Sequence, residues 1–194
     1  DIACFSFDGI KNITSGEGGC VVSSDIDFLK RVCDARLLGV ENDTKKRYAN
    51  QRSWNFDVNT QGWRYHMSNL MAAIGIEQLK RFETFADKRK KLSIQYTKHL
   101  EGRSGLTLIN HNYNDVVPHI FVVRFDSMSS RDHVREVLNE NGIQTGIHYQ
   151  PNHLLTFYKS SSNLLNVNQA YSELLTLPLH VDLIEEEINL ICSL

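Results

Sequence analysis

No apolar run in this 194-residue chain approaches the roughly 20 residues that a helix needs to span a bilayer, and no basic segment precedes an apolar one at the N-terminus. Membrane spans and secretory leaders are therefore not expected, and we expect a cytoplasmic location. Cysteine is scarce, and Cys4, Cys20, Cys33 and Cys192 show no CxxC-type spacing. That pattern argues against a disulfide frame or a zinc site and predicts buried free thiols. A dominant charge sign is missing too: 21 Lys and Arg face 23 Asp and Glu, a net charge of −2, so general polyanion binding is not expected. Repeats and low-complexity tracts are absent. With 41% hydrophobic and 23% charged residues, the composition is that of an ordinary globular polypeptide, long enough for one domain and part of another.

What is present begins at the N-terminus. Ile2 to Phe7 reads as a strand, Gly16-Glu17-Gly18-Gly19 as a turn and Cys20-Val21-Val22 as a second strand, which makes a hairpin with Lys11 in its connection. A lysine partly desolvated there and hemmed in by hydroxyls can lose its proton near neutral pH and attack a carbonyl to give a Schiff base. The spacing alone favours an exposed loop lysine.

The rest of the chain alternates helix and strand patterns and divides around residue 85. Asp25 to Leu38 has helical spacing with Phe28, Leu29, Val32, Cys33 and Ala35 inward, and Ser24 or Asp25 as N-cap. Gly39 to Gln61 is a polar loop leading to a short strand at Trp54, Phe56 and Val58. Ser68 to Leu100 is the longest helical pattern, with Gly75 allowing close packing and Gly102 an exit. Within it, Lys88-Arg89-Lys90-Lys91 reads as a solvated face, as does the run Lys45-Lys46-Arg47. Strands are expected at Ile120 to Phe125 and Ile143 to Tyr149. Helices are expected at Ser130 to Asn141, Val167 to Leu177 and Ile184 to Leu194. This order predicts an α/β architecture with helices packed on a small sheet.

His148 and His153 lie five residues apart near Pro151, without the helical i, i+4 spacing or a third ligand that a metal site needs. Either imidazole could instead be a structural histidine.

The run Phe5-Ser-Phe-Asp-Gly-Ile-Lys11-Asn-Ile13, followed by Gly16-Glu-Gly-Gly19, resembles the Schiff-base segment of the DegT/DnrJ/StrS sugar-nucleotide aminotransferases, pyridoxal-phosphate (PLP) enzymes of fold type I. Three further stretches resemble family segments in the same order: Gly62-Trp-Arg-Tyr-His-Met-Ser-Asn69 with Ala72 to Leu79, Gly146-Ile-His-Tyr-Gln-Pro-Asn-His153, and Leu177-Pro-Leu-His180.

The resemblance implies that this chain is the C-terminal half of such an enzyme, with about half of a usual member preceding Asp1. Residues 1–85 would be the remainder of the PLP-binding large domain with the start of the interdomain helix, and residues 86–194 the small C-terminal α/β domain. Lys11 would carry the cofactor and then serve as base and acid in the proton shift. Ser6 would bond the cofactor phosphate. Arg64 stands where the commoner pattern has asparagine, and His66 where it has arginine; Arg64 would reach the partner subunit's phosphate in a homodimer. His148, Tyr149 and His153 would lie near sugar hydroxyls or nucleotide phosphate.

The substrate pair implied is a nucleotide-linked keto-6-deoxyhexose, dTDP-4-keto-6-deoxyglucose in the nearest likeness, with glutamate as amino donor. The products of such enzymes feed surface polysaccharide such as lipopolysaccharide O-antigen, or antibiotic glycosides. Two alternatives remain: a catalytically incomplete remnant that folds only with its missing half, and a member turned to dehydration or regulatory binding. Lys11 counts against the second. A nucleic-acid module is more distant still, since no such motif is present.

Overall fold

The computed structural model describes residues 1–41, 49, 56–160 and 162–194. They fall into two compact units, Asp1–Phe82 and Glu83–Leu194. Among the described residues, no helix is long and apolar enough to cross a membrane.

In the first unit, β1 (Ile2–Ser6) and β2 (Gly19–Ser23) form the expected hairpin, in register from Ile2 opposite Ser23 to Ser6 opposite Gly19. Helix α1 (Ile26–Ala35) follows; its N-cap is Asp25, whose carboxylate accepts from the Phe28 N–H at 2.8 Å. All five residues of β1 are exposed, because a two-stranded ribbon cannot cover its own faces. The expectation of buried thiols therefore fails at Cys4 and Cys20, and also at Cys33, which sits on the open side of α1. Only Cys192 is buried, and burial pushes its thiol up to about 11, where it is inert.

Ser68 caps α2 (Asn69–Lys80) by accepting from the Met71 N–H at 3.3 Å. The single helix expected from Ser68 to Leu100 is in fact two. The Arg81 N–H bonds Gln78 O, three residues back rather than four, and α3 (Phe82–Leu100) starts after this tightened turn. Gly75 does allow close packing: a Cβ there would stand 3.4 Å from Cβ of Ser15, which is itself almost fully buried. Of the strand expected near residue 56, Val58 forms a lone bridge to Val40, while Trp54 and the run Lys45 to Arg47 lie outside the described residues.

The second unit is built on a three-stranded antiparallel sheet, β3 (Leu106–Leu108), β4 (Phe121–Phe125) and β5 (Leu174–Leu177), with β4 in the middle. Phe121, Val123 and Phe125 alternate inward along β4. They pack with Leu92, Tyr96 and Leu100 of α3, Leu138 of α4 (Met128–Glu140), Leu175 and Leu177, and Ile188, Ile191 and Cys192 of α6 (Glu185–Ser193). Each large side chain buried in that cluster contributes about 1.5–3 kcal/mol. The helix expected at Val167 to Leu177 is corrected: α5 (Leu165–Glu173) ends at Glu173, and Leu174 to Leu177 is β5. Leu175 is fully buried, and the tetrapeptide takes the backbone partners that β4 offers. The strand expected at Ile143 to Tyr149 shrinks to one bridge, Gly146 to Thr176. Strand β3 answers to no expectation.

The solvated face assigned to Lys88 through Lys91 is wrong at Arg89, which is 5% exposed. On α3 the inward stripe runs Phe85, Ala86, Arg89, Leu92, Ser93, Tyr96 and Leu100 at helical spacing, so the second position of a basic run falls on the core side. Its Nη1 donates to His119 O and to Leu179 O, both at 3.0 Å, while Nε bonds no described residue. Burial lowers its pKa. Nearby, the Tyr96 hydroxyl donates to Pro178 O at 2.9 Å, and burial raises its pKa.

Two stability outcomes follow. Arg89→Ala removes two charge-assisted bonds and leaves two carbonyls without their donor, so we expect a loss of about 3 kcal/mol in urea denaturation. Glu173 accepts from Gln169 at 2.9 Å and from Arg124 at 2.6 Å, and these bonds hold its carboxyl below the ordinary value of 4.5. A depressed carboxylate stabilises the fold above its unfolded pKa and loses that contribution as pH falls through the folded value. Melting from about pH 5 to about pH 3 should therefore fall more steeply in the native chain than in Glu173→Gln.

Candidate active site

Lys11 sits in the connection from Phe7 to Gly18, whose shape comes from its own polar groups. The Phe7 N–H donates to Gly18 O and the Ser15 N–H to Phe7 O, both at 2.9 Å, which closes the base of the loop. Asp8 makes the turn at its tip: its carboxylate accepts from the Ile10 N–H at 3.2 Å and its carbonyl from the Lys11 N–H at 3.0 Å. Lys11 is thereby fixed at the end of a tight turn, half-buried. Ser6 closes β1, and its Oγ accepts from the Asp8 N–H at 3.4 Å, which leaves its own proton to donate elsewhere. The role of Asp8 went unassigned from sequence, although Asp before Gly is a recognisable turn signal.

The segment carrying Arg64 is held by backbone pairing to the end of α1. Trp63 N–H donates to Ala35 O at 2.7 Å, Leu38 N–H to Trp63 O at 2.9 Å and Tyr65 N–H to Arg36 O at 2.9 Å. Entry to this pairing is a glycine crossing. A Cβ on Gly62 would lie 1.9 Å from Gly39 N, and one on Gly39, at φ +73°, would lie 2.3 Å from Thr60 O. Trp63 and Tyr65 then fall on one side of the extended segment, with parallel rings 6.2 Å apart, and Arg64 between them is exposed. Three residues on, Met67 packs at Gly18, where a Cβ would lie 2.5 Å from its methyl, so this segment abuts the Lys11 loop. Nδ1 of His66 is buried and bonds no described residue.

His148, Tyr149 and His153 belong to the second unit, where their surroundings differ. His148 and Tyr149 line a cleft of about 360 Å³ together with Ile147, Pro151, Tyr171 and Leu174. Their rings meet edge to face at 4.6 Å, and the peptide between them is cis. Nδ1 of His148 bonds Thr176 Oγ1 at 2.9 Å. His153 is not part of the lining; its Nε2 lies 2.9 Å from Oδ1 of Asn168 on α5. An amide oxygen only accepts, so Nε2 of His153 carries its proton. Thr176 and Asn168 were not foreseen, the first because its strand read as helix.

Comparison with known proteins decides the family. The model of the DegT/DnrJ/EryC1/StrS aminotransferase family matches residues 1–194. The chain belongs to that family. Among curated family relatives it is 28% identical over 197 residues to Uncharacterized protein MJ1066 of Methanocaldococcus jannaschii, covering 97% of this chain and 51% of that protein. It is 25% identical over 199 residues to the spore coat polysaccharide biosynthesis protein SpsC of Bacillus subtilis, with the same coverage. Among solved structures, the putative sugar aminotransferase Spr1654 of Streptococcus pneumoniae in its PMP form superposes with a TM-score of 0.86 at 28% identity, covering 100% of this chain and 51% of that one. Its PLP form gives 0.84. The α/β fold expected from sequence is thus that of a PLP-dependent aminotransferase, and the chain spans about half the length of the curated relatives it matches.

The glycine crossing yields a direct test. Because the atoms that a Gly62 side chain would meet are backbone, Gly62→Ala should cost about 3 kcal/mol or more in urea denaturation of the chain. Gly142→Ala, where a Cβ meets nothing within 4 Å but φ is +75°, should cost only about 1 kcal/mol.

Proposed function

We propose that this chain is the lysine-bearing half of a PLP-dependent aminotransferase that transfers an amino group from glutamate to a nucleotide-linked keto-6-deoxyhexose, dTDP-4-keto-6-deoxyglucose in the narrowest form. The observation that carries the reading is Lys11 held at the tip of the Asp8 turn in a chain matched throughout by an aminotransferase family. Similarity to the putative sugar aminotransferase Spr1654 and to the spore coat polysaccharide biosynthesis protein SpsC supports a sugar acceptor and a role in surface polysaccharide such as O-antigen.

The residues present fit the cofactor by the chemistry of their donors. Lys11 offers a primary amine for an aldehyde, while the Ser6 hydroxyl proton and the Arg64 guanidinium are donors suited to a phosphate. PLP supplies, when bound, the electron-withdrawing ring that lets an amino group be exchanged. Lys11 would hold the cofactor through its amine and, once released, would move a proton at its Nζ. Ser6 and Arg64 orient the phosphate, with Arg64 serving the partner subunit of a homodimer. His148 and Tyr149 bind the sugar nucleotide at the cleft they line. His153, bonded to Asn168, supports that segment. A nucleotide-sugar substrate fits a cytoplasmic enzyme.

A second reading is favoured by the open faces of the first unit: Phe5, Leu70, Ile74 and Leu79 are each more than half exposed. Such faces suit a chain that works only with a further polypeptide laid over them.

One experiment separates the two. PLP added to the purified chain should give a visible absorbance band, and borohydride followed by peptide mapping should find the adduct on Lys11. Lys11→Ala should lose band and adduct, keep its helical circular dichroism and lower transamination about a thousandfold or more. Transamination surviving in Lys11→Ala would sink the mechanism. Adducts scattered over surface lysines would favour the second reading.

A further inference from the structure

The two histidines of the Gly146 to His153 segment are held by partners of different chemistry. His153 Nε2 faces Asn168 Oδ1, which can only accept, so the ring is fixed in one tautomer. His148 Nδ1 faces a threonine hydroxyl at 2.9 Å, which can donate or accept. That hydroxyl is well placed to hold a ring. Thr176 is 7% exposed on β5, and its backbone pairs Gly146 in both directions, N–H to O at 2.7 Å and O to N–H at 3.0 Å. The His148 ring folds back over Gly146: a Cβ there would stand 2.6 Å from Cε1 and 3.2 Å from Nδ1. Tyr149 closes the other side with its ring edge-on. The lining of the cleft offers two tyrosines and no carboxylate.

We propose that Thr176 is a positioning residue whose hydroxyl fixes the His148 ring over Gly146 while leaving Nε2 free to act toward a hydroxyl-bearing ligand as donor or as acceptor. When the Thr176 O–H donates to Nδ1, the ring proton sits on Nε2, which donates to the ligand. When Nδ1–H donates to Thr176 Oγ1, Nε2 presents a lone pair and accepts. The two states differ by one proton, released from one ring nitrogen and taken up at the other through solvent; the Thr176 hydroxyl turns to match, and the ring does not move. His153 lacks this choice. A sugar hydroxyl, itself both donor and acceptor, is the ligand chemistry such a contact suits. This rests on the reading above that His148 meets the substrate.

The test compares Thr176→Val and Thr176→Ser in the cofactor-loaded protein. Valine keeps the β-branched shape that the strand prefers and removes only the hydroxyl. Nitrogen NMR of the histidine rings should show a changed tautomer signature for His148 and none for His153. KM for the keto-sugar acceptor should rise three- to tenfold, about what one hydrogen bond supplies, with kcat changed less. Serine should restore both. An unchanged His148 signature in Thr176→Val, or failure of serine to restore it, overturns the proposal. His148→Ala with unchanged KM, alongside a shifted ring signature in Thr176→Val, overturns the substrate reading alone and leaves Thr176 as the residue that sets the ring.

Discussion

The buried guanidinium of Arg89 is the interaction on which the second unit depends. From the inward stripe of α3 it holds the carbonyl of His119, just before β4, and that of Leu179, just after β5. A neutral side chain could not supply charge-assisted bonds to two acceptors at once. With Tyr96 holding Pro178, the exit of β5 is pinned to the helix that forms one wall of the core. The register of β5 against β4 follows, from Phe121 opposite Leu177 to Arg124 opposite Leu174. Thr176 pairs Val122 in that register and bridges Gly146 on its other side, and this bridge bears on where the His148 ring can lie.

The same dependence explains which parts of the fold were legible in the sequence. The β1–β2 hairpin, the Asp25 cap, α4 and β4 announce themselves through local rules, because alternation, capping residues and glycines act over a few positions. Strand β5 does not: Leu174-Leu-Thr-Leu177 is a short apolar run after a helix, and nothing within it separates the end of a helix from a buried strand. The pairing that decides the matter comes from β4, some fifty residues earlier. Arg89 is a similar case, since its charge suggests solvent and its position on the stripe decides otherwise. The cysteines mislead in the opposite direction, because thiols are commonly buried but a two-stranded ribbon has nothing to bury them with.

Of the candidate site, the Lys11 loop and the His148 segment were visible as residue types in order, and their supporting contacts were not. Asp8, Thr176 and Asn168 act through hydrogen bonds that turn on single atoms, and a motif records the residue that faces the ligand more readily than the one that holds it. The cleft beside the imidazole is mostly apolar, with two tyrosine rings in its lining.

The crossing of Gly39 and Gly62 has a consequence for how such a chain can vary over time. Neither backbone leaves room for the other to gain a side chain, and exchanging both at once only doubles the collision. The two positions, more than twenty residues apart, are thus inherited as one character. The point where the two ends of the intervening segment cross, and with it the placing of Arg64, stays closed to a side chain at either glycine.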